Sequence, residues 1–165
     1  MSFTEGSYEK ALIALFENLG YQHQYGPNIE RDYYVPFYEE QLIESLTTIN
    51  YGKPRPAIDE AISKLKDIEI GSLPQRNELF MDYLQHGIEV SFFDGKEQCN
   101  DIIYLIDYND KNIKRNDFKV INQWTFVENS EKRADIILFV NGLPLVVIEL
   151  KSPSREETNV SEAYL

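Results

Sequence analysis

Cysteine occurs once in the 165 residues, at Cys99, which excludes an internal disulfide framework and a thiolate-held metal cluster. Histidine occurs twice, at His23 and His86, with no metal-ligand spacing and no acid at a recognisable interval. Both are read as surface or capping residues. Positive charge is scarce: 16 Lys and Arg stand against 28 Asp and Glu, for a net charge of −12. Bulk electrostatics therefore do not carry this chain onto nucleic acid, because phosphate neutralisation depends on Lys and Arg. No apolar run approaches the ~20 residues that span a bilayer. The start, MSFTEGSYEK, lacks the basic residues and apolar core of a secretory signal. These absences point to a cytoplasmic protein with no membrane partner. Internal repeats, low-complexity tracts and a GxxxxGK[ST] phosphate loop are also missing.

What is present is an ordinary globular composition, 42% hydrophobic and 13% aromatic, suited to one domain over residues 1–165. Helical periodicity dominates the first half. Tyr8, Ala11, Leu12, Leu15, Phe16 and Leu19 recur at i, i+3, i+4 and i+7, with Ser7 as the expected N-cap and Gly20 as the stop. Further helices are expected over Phe37–Ile49, from near Pro56 through Ile68, and over Gln75–Gln85. From Ile88 the period becomes that of strands: IEVSFF, DIIYLID, DFKVINQWTFV, RADIILFV and PLVVIELK. Asn141-Gly142 between the last two marks a hairpin. Their almost wholly apolar character predicts central strands covered on both faces. The expected fold is α+β, with the helical N-terminal half packed on a mixed, mainly antiparallel sheet of about five strands. SPSREETNVSEAYL then predicts a loop leading into a helix, and its Asn159-Val160-Ser161 matches a glycosylation sequon that a cytosolic chain would not use.

The stretch LVVIELKSP places two opposite charges at the end of an apolar strand. Alternation puts Glu149 and Lys151 on one face, with Leu150 on the other. Across the hairpin, Asp135 is the one carboxylate within RADIILFV. A two-residue turn would set Asp135 opposite Ile148 and turn it away from Glu149. A three-residue loop of Val140, Asn141 and Gly142, or an equivalent bulge, restores the shared face and is the expectation here. Two carboxylates and a lysine at one point suit Mg²⁺-dependent phosphodiester hydrolysis, because Mg²⁺ prefers oxygen donors and needs only one or two from the protein. The competing reading is a structural salt bridge at a strand end, with Arg133 as partner.

ADIILFVNGLPLVVIELKSP resembles the D…ExK hairpin of the N-terminal nuclease domain of type I restriction enzyme R subunits, within the PD-(D/E)xK nuclease superfamily. The likeness continues through INQWTFVEN, NELFMDYLQHGIEVSFFDG and YEKALIALFENLGY, so it covers nearly the whole chain. It implies that Asp135 and Glu149 are metal ligands for Mg²⁺ and that Lys151 is the catalytic lysine. Ala134 stands where the superfamily has its proline. The resemblance also implies a glutamate from the first helix. Glu9 borders the apolar stripe and is chosen, whereas Glu17 lies on the wet face; the competing role for Glu9 is a first-turn acid favoured by the helix dipole.

Duplex DNA is the implied substrate, with Lys132, Arg133 and Lys119 as candidate phosphate contacts. The implied partners are modification and specificity subunits and the helicase-like, ATP-binding domains of a longer chain. The family's QxxxY motif and a further strand are expected beyond Leu165, so residues 1–165 are expected to cleave DNA poorly by themselves. A second functional class stays open: an assembly module with a silent site, docking through its acidic helical half.

Overall fold

A computed structural model of the protein describes residues 4–68, 71–127 and 129–151. The loop and helix expected after Lys151, with the Asn159 sequon, lie outside the described residues. In chain order the elements are α1 (Glu5–Asn18), β1 (Gln22–Tyr25), a 3₁₀ turn (Gly26–Asn28), α2 (Glu39–Ile49), α3 (Arg55–Lys66) and α4 (Leu73–His86). Then follow β2 (Ile88–Phe93), β3 (Gln98–Ile103), a second 3₁₀ turn (Asp110–Arg115), β4 (Phe118–Val127), β5 (Glu131–Val140) and β6 (Leu143–Ile148). The chain is α+β, and it divides into two compact units.

The first unit comprises residues 1–36, 118–139 and 144–165. Its strands form a mixed sheet in the order β1-β4-β5-β6. The sequence gives no sign of β1, because QHQY has no apolar alternation. It forms because β4 offers it a parallel edge, in the register Gln22↔Lys119 through Tyr25↔Asn122. The short links from β4 to β5 and from β5 to β6 permit only antiparallel pairing. α1 covers one face, where Ile13 packs with Val120, Ile136 and Leu138, and Leu12, Phe16, Tyr21, Ile148 and Leu150 close the edges. Ser7 is not the cap of α1. Thr4 is, and Ser7 sits one turn in, where its Oγ accepts the Thr4 amide at 2.8 Å. β6 also departs from expectation. It lies at the edge of the sheet among the described residues, with Val146 and Val147 45% and 58% exposed. An apolar run fits a central strand, but it cannot say on which side the next strand stops.

The second unit comprises residues 37–117 and 140–143. Here the expected strands IEVSFF and DIIYLID form their own antiparallel pair, β2 with β3, rather than joining the larger sheet. Ile88, Val90 and Phe92 alternate inward, and α3 packs on β2 with Ala57, Ile58, Ala61, Ile62 and Leu65 buried. Leu42 and Leu46 of α2, one turn apart, are fully buried. At roughly 2 kcal/mol for each buried aliphatic side chain, this apolar set is the main stabilising contribution of the unit.

The hairpin tip carries a buried amide network. Asn141, fully buried, donates through Nδ2 to the Leu105 carbonyl at 2.8 Å and to Asn116 Oδ1 at 2.9 Å. Its Oδ1 accepts the Asp117 amide at 2.7 Å. These bonds hold Asn141 at φ 55°, and Gly142 follows at φ 81°. The link is therefore a two-residue turn with both residues left-handed, not the expected three-residue loop. The side-chain bonds of Asn141 decide this, and they are set by partners 25 and 36 residues away.

Candidate active site

Asp135 lies on β5 next to Ile136, which belongs to the α1-facing cluster, so alternation sends Asp135 to the opposite face. Glu149 is flanked by Ile148 and Leu150, both packed on that same cluster, and it too faces away from α1. An unbroken ladder from the two-residue turn would have put Ile148 on the other face. Adjacent Val146 and Val147 are both in solvent, so the alternation slips by one residue there. The offset expected in the turn is thus taken up along β6, and the shared face for Asp135 and Glu149 results.

Asp135 Oδ2 accepts the backbone amide of Leu150 at 2.7 Å, tying β5 to the residue between Glu149 and Lys151. Glu149 keeps solvent access, yet its carboxyl is pushed above the usual range. Partial desolvation is the largest cause and the neighbouring Asp135 charge the second, with Lys151 opposing both. Two carboxylates that repel each other at a strand end, with a lysine moderating the repulsion, form an oxygen donor set that a divalent cation fits. Among the described residues no ion pair joins Asp135 or Glu149 to Arg133, so the salt bridge considered above is not formed.

Glu9 is half-buried on α1, one turn before Ile13, and its carboxylate bonds the side-chain amides of Asn122 and Gln123 on β4. Glu17 is exposed. Glu9, Asp135 and Glu149 do not close into a three-donor cluster. Among the described residues the one group that tight is Asp94, Glu97 and Cys99, in the turn between β2 and β3. Asp94 there accepts the Lys96 and Glu97 amides, which hold its carboxyl below the usual range, so the group is accounted for as a turn.

Lys132 and Arg133 are exposed at the start of β5. Lys119 is not. At 4% exposure on β4 it is withdrawn from solvent and does not present its ammonium to a phosphate, which corrects its placement among the DNA contacts. Both histidines are exposed, as expected, and each has one side-chain partner. His86 Nδ1 bonds Asp82 at 2.7 Å one helical turn away, and His23 Nε2 meets Asn122 Oδ1 at 2.9 Å. Asn122 and Gln123 lie within DFKVINQWTFV, whose strand periodicity gives them no separate role. Two adjacent amides within an apolar strand were the available signal.

The family described as type I restriction enzyme R protein N terminus matches residues 2–165. The HindI type I restriction enzyme endonuclease subunit of Haemophilus influenzae is 30% identical over 97% of this chain and 16% of its own length. The EcoprrI type I restriction enzyme endonuclease subunit of Escherichia coli is 31% identical over 90% of this chain and 44% of its own. A putative type I restriction enzyme endonuclease subunit of Methanocaldococcus jannaschii, MjaIXP, is 28% identical over 91% of this chain and 15% of its own. The chain thus spans less than half the length of each of these relatives.

Proposed function

Because the chain belongs to the type I restriction enzyme R protein N-terminus family, we propose that it is the nuclease-bearing segment of such an R protein and cleaves duplex DNA with Asp135, Glu149 and Lys151. The observation that carries this reading is the strand end itself. Asp135 is anchored on the Leu150 amide, and Glu149 beside it is raised by burial and by the Asp135 charge. A site built only for stability gains nothing from two repelling carboxylates.

Asp135 and Glu149 would hold Mg²⁺, while Glu9, held by Asn122 and Gln123 on the α1-covered face, stays apart from them. When bound, the ion would polarise the scissile phosphate and acidify a water. Lys151 brings a positive charge to the negative charge that develops on the phosphate. Lys132 and Arg133, on the same strand as Asp135, are suited to neighbouring phosphates. With a net charge of −12, the segment relies on other parts of the assembly to hold the duplex. The modification and specificity subunits and an ATP-driven, helicase-like portion of the full chain would supply that hold, together with site recognition.

The test uses the full-length R protein assembled with its partner subunits, ATP and Mg²⁺. Lys151→Ala and Asp135→Asn should each lower duplex cleavage by about 10²–10³-fold while ATP hydrolysis continues. Unchanged cutting by both variants would end this reading. Cleavage by neither the variants nor the wild type, with intact assembly, would favour a docking module with a silent site.

A further inference from the structure

Resting on the reading of Asp135 and Glu149 as the site of duplex cleavage, we infer that the turn Arg31–Val35 is a second contact for the duplex, in which Arg31 locks the turn to the sheet and Tyr34 meets the DNA backbone. The stretch RDYYVPFY sets two tyrosines side by side, and both stand on the surface. Tyr34 is 74% exposed and Tyr33 40%. Their backbone is held still. The Asp32 carboxylate accepts the Tyr34 amide at 2.9 Å, and the Asp32 carbonyl accepts the Val35 amide at 3.3 Å. The Tyr33 carbonyl accepts the Val127 amide at 2.9 Å, which fastens the turn to the end of β4.

Arg31 closes the clasp. Its Nη1 donates to the carbonyls of Asp32 and Val35 at 3.3 and 3.4 Å, and its Nη2 donates to the Thr125 carbonyl. The guanidinium lies 3.5 Å from the centroid of the Trp124 ring and 4.8 Å from that of Tyr33. One side chain thus gathers three carbonyls and two rings. Burial lowers its pKa, its Nε is buried without a hydrogen-bond partner, and among the described residues no carboxylate forms an ion pair with it. In a chain with 28 acidic side chains, a guanidinium withdrawn from water without an ion pair is a poor choice for stability alone. Its uncancelled charge favours an anion from outside the chain.

The clasp stands beside the site. The ladder of β1 on β4 ends at Tyr25↔Asn122, next to a bulge where Gln123 takes φ 56°. Gly26 passes so close that a Cβ there would lie 2.8 Å from the carbonyl oxygens of Asn122 and Gln123. The chain then returns to β4 at Thr125 and Val127, through Arg31 and Tyr33. The short link from β4 to β5 sets this end of β4 against Lys132 and Arg133, just before Asp135. The face agrees as well. Phe139 shares the face of Asp135 by alternation, and the Trp124 ring packs on Phe139 with centroids 4.7 Å apart, so the Arg31 stack lies on that side. Lys132 and Arg133 are exposed and outside any ion pair among the described residues. Two cations and a fixed tyrosine hydroxyl are groups that bond phosphate in protein–DNA contacts.

The experiment measures duplex binding against salt, and cleavage, for the full-length R protein assembled with its partner subunits. Tyr34→Ala should weaken both about tenfold and leave the salt dependence of binding unchanged, because tyrosine is neutral. Arg133→Gln should lower the salt slope by about 1. Tyr34→Phe, which keeps the ring and loses the hydroxyl, should fall between wild type and Tyr34→Ala. Arg31→Lys keeps a cation but loses the fork, so it should match Tyr34→Ala, and the two together should lose little more than either alone. Wild-type binding and cutting by Tyr34→Ala would overturn the contact, while loss of cutting in Lys151→Ala left the nuclease reading standing. Release of the partner subunits by Tyr34→Ala with DNA affinity intact would make the turn a protein contact and overturn the inference as well. Normal cutting by Lys151→Ala and Asp135→Asn, with binding still weakened by Tyr34→Ala, would remove the nuclease reading and leave the DNA contact.

Discussion

Gln123 and Asn141 have nearly the same backbone, at φ 56° and 55°, and both aim an amide inward. Their amides do different things. In the second unit Asn141 bonds backbone and another amide: the Leu105 carbonyl, the Asp117 N–H and Asn116, which in turn bonds the Asp107 carbonyl and N–H. Every group there is neutral and satisfied, as a buried network requires if it is to stabilise. In the first unit Gln123 and Asn122 bond the Glu9 carboxylate, and elsewhere on that sheet desolvation and the Asp135 charge push the Glu149 carboxyl above its usual range. Left-handed backbone thus accompanies a neutral buried turn in one case and a hold on a carboxylate in the other. The charge of the partner tells them apart.

If that distinction is right, the two regions respond oppositely to substitution. Asn141→Ala should have the largest effect, a loss of about 4 kcal/mol in urea unfolding. It takes their Asn141 partner from the Leu105 carbonyl and the Asp117 N–H, removes one of the two bonds to Asn116 Oδ1, and puts alanine in a left-handed conformation. A loss under about 1 kcal/mol would mean that the network is not structural. Gly142→Ala belongs with it, since its Cβ would lie 2.6 Å from Leu42 N and Tyr38 O, main-chain atoms that cannot swing aside. Gly26→Ala should cost less, about 2 kcal/mol, because the turn after β1 can withdraw from the bulge.

Asp135→Asn should change stability by less than about 1 kcal/mol while abolishing metal binding, since asparagine can still accept the Leu150 amide. A variant that unfolds would make Asp135 a structural residue and erase the contrast between the regions. The smallest effect concerns pH. Asp101 in the second unit is held below its ordinary value of 3.8, chiefly by Lys53 at 2.6 Å and then by the Ile102 amide. A lowered carboxyl stabilises the fold above its unfolded value, and that contribution disappears as pH falls through the folded value. Asp101→Asn should therefore cost less than about 1 kcal/mol at neutral pH, screened as the pair is, and nothing in strong acid. Glu149 has the opposite sign, so its ionisation opposes folding as pH rises.

Local chemistry decided what the sequence alone could specify. Helical spacing places the four helices to within a few residues at their ends, and Asn141-Gly142 marks the hairpin. The strand end Glu149-Leu150-Lys151 with Asp135 picks out the candidate site, because alternation and charge are properties of neighbouring residues. Tertiary structure decided the rest. Gln22–Tyr25 is a strand only because β4 pairs with it, and DIIYLID joins IEVSFF rather than the larger sheet. Asn141 makes a two-residue turn because of Leu105, Asn116 and Asp117, while the slip at Val146-Val147 returns Glu149 to the face of Asp135. Lys119 is a buried strand residue rather than a phosphate contact, and Glu9 finds Asn122 and Gln123 more than a hundred residues away. Each of these depends on a hydrogen bond or a packing surface supplied from far along the chain, which no local pattern of residues encodes.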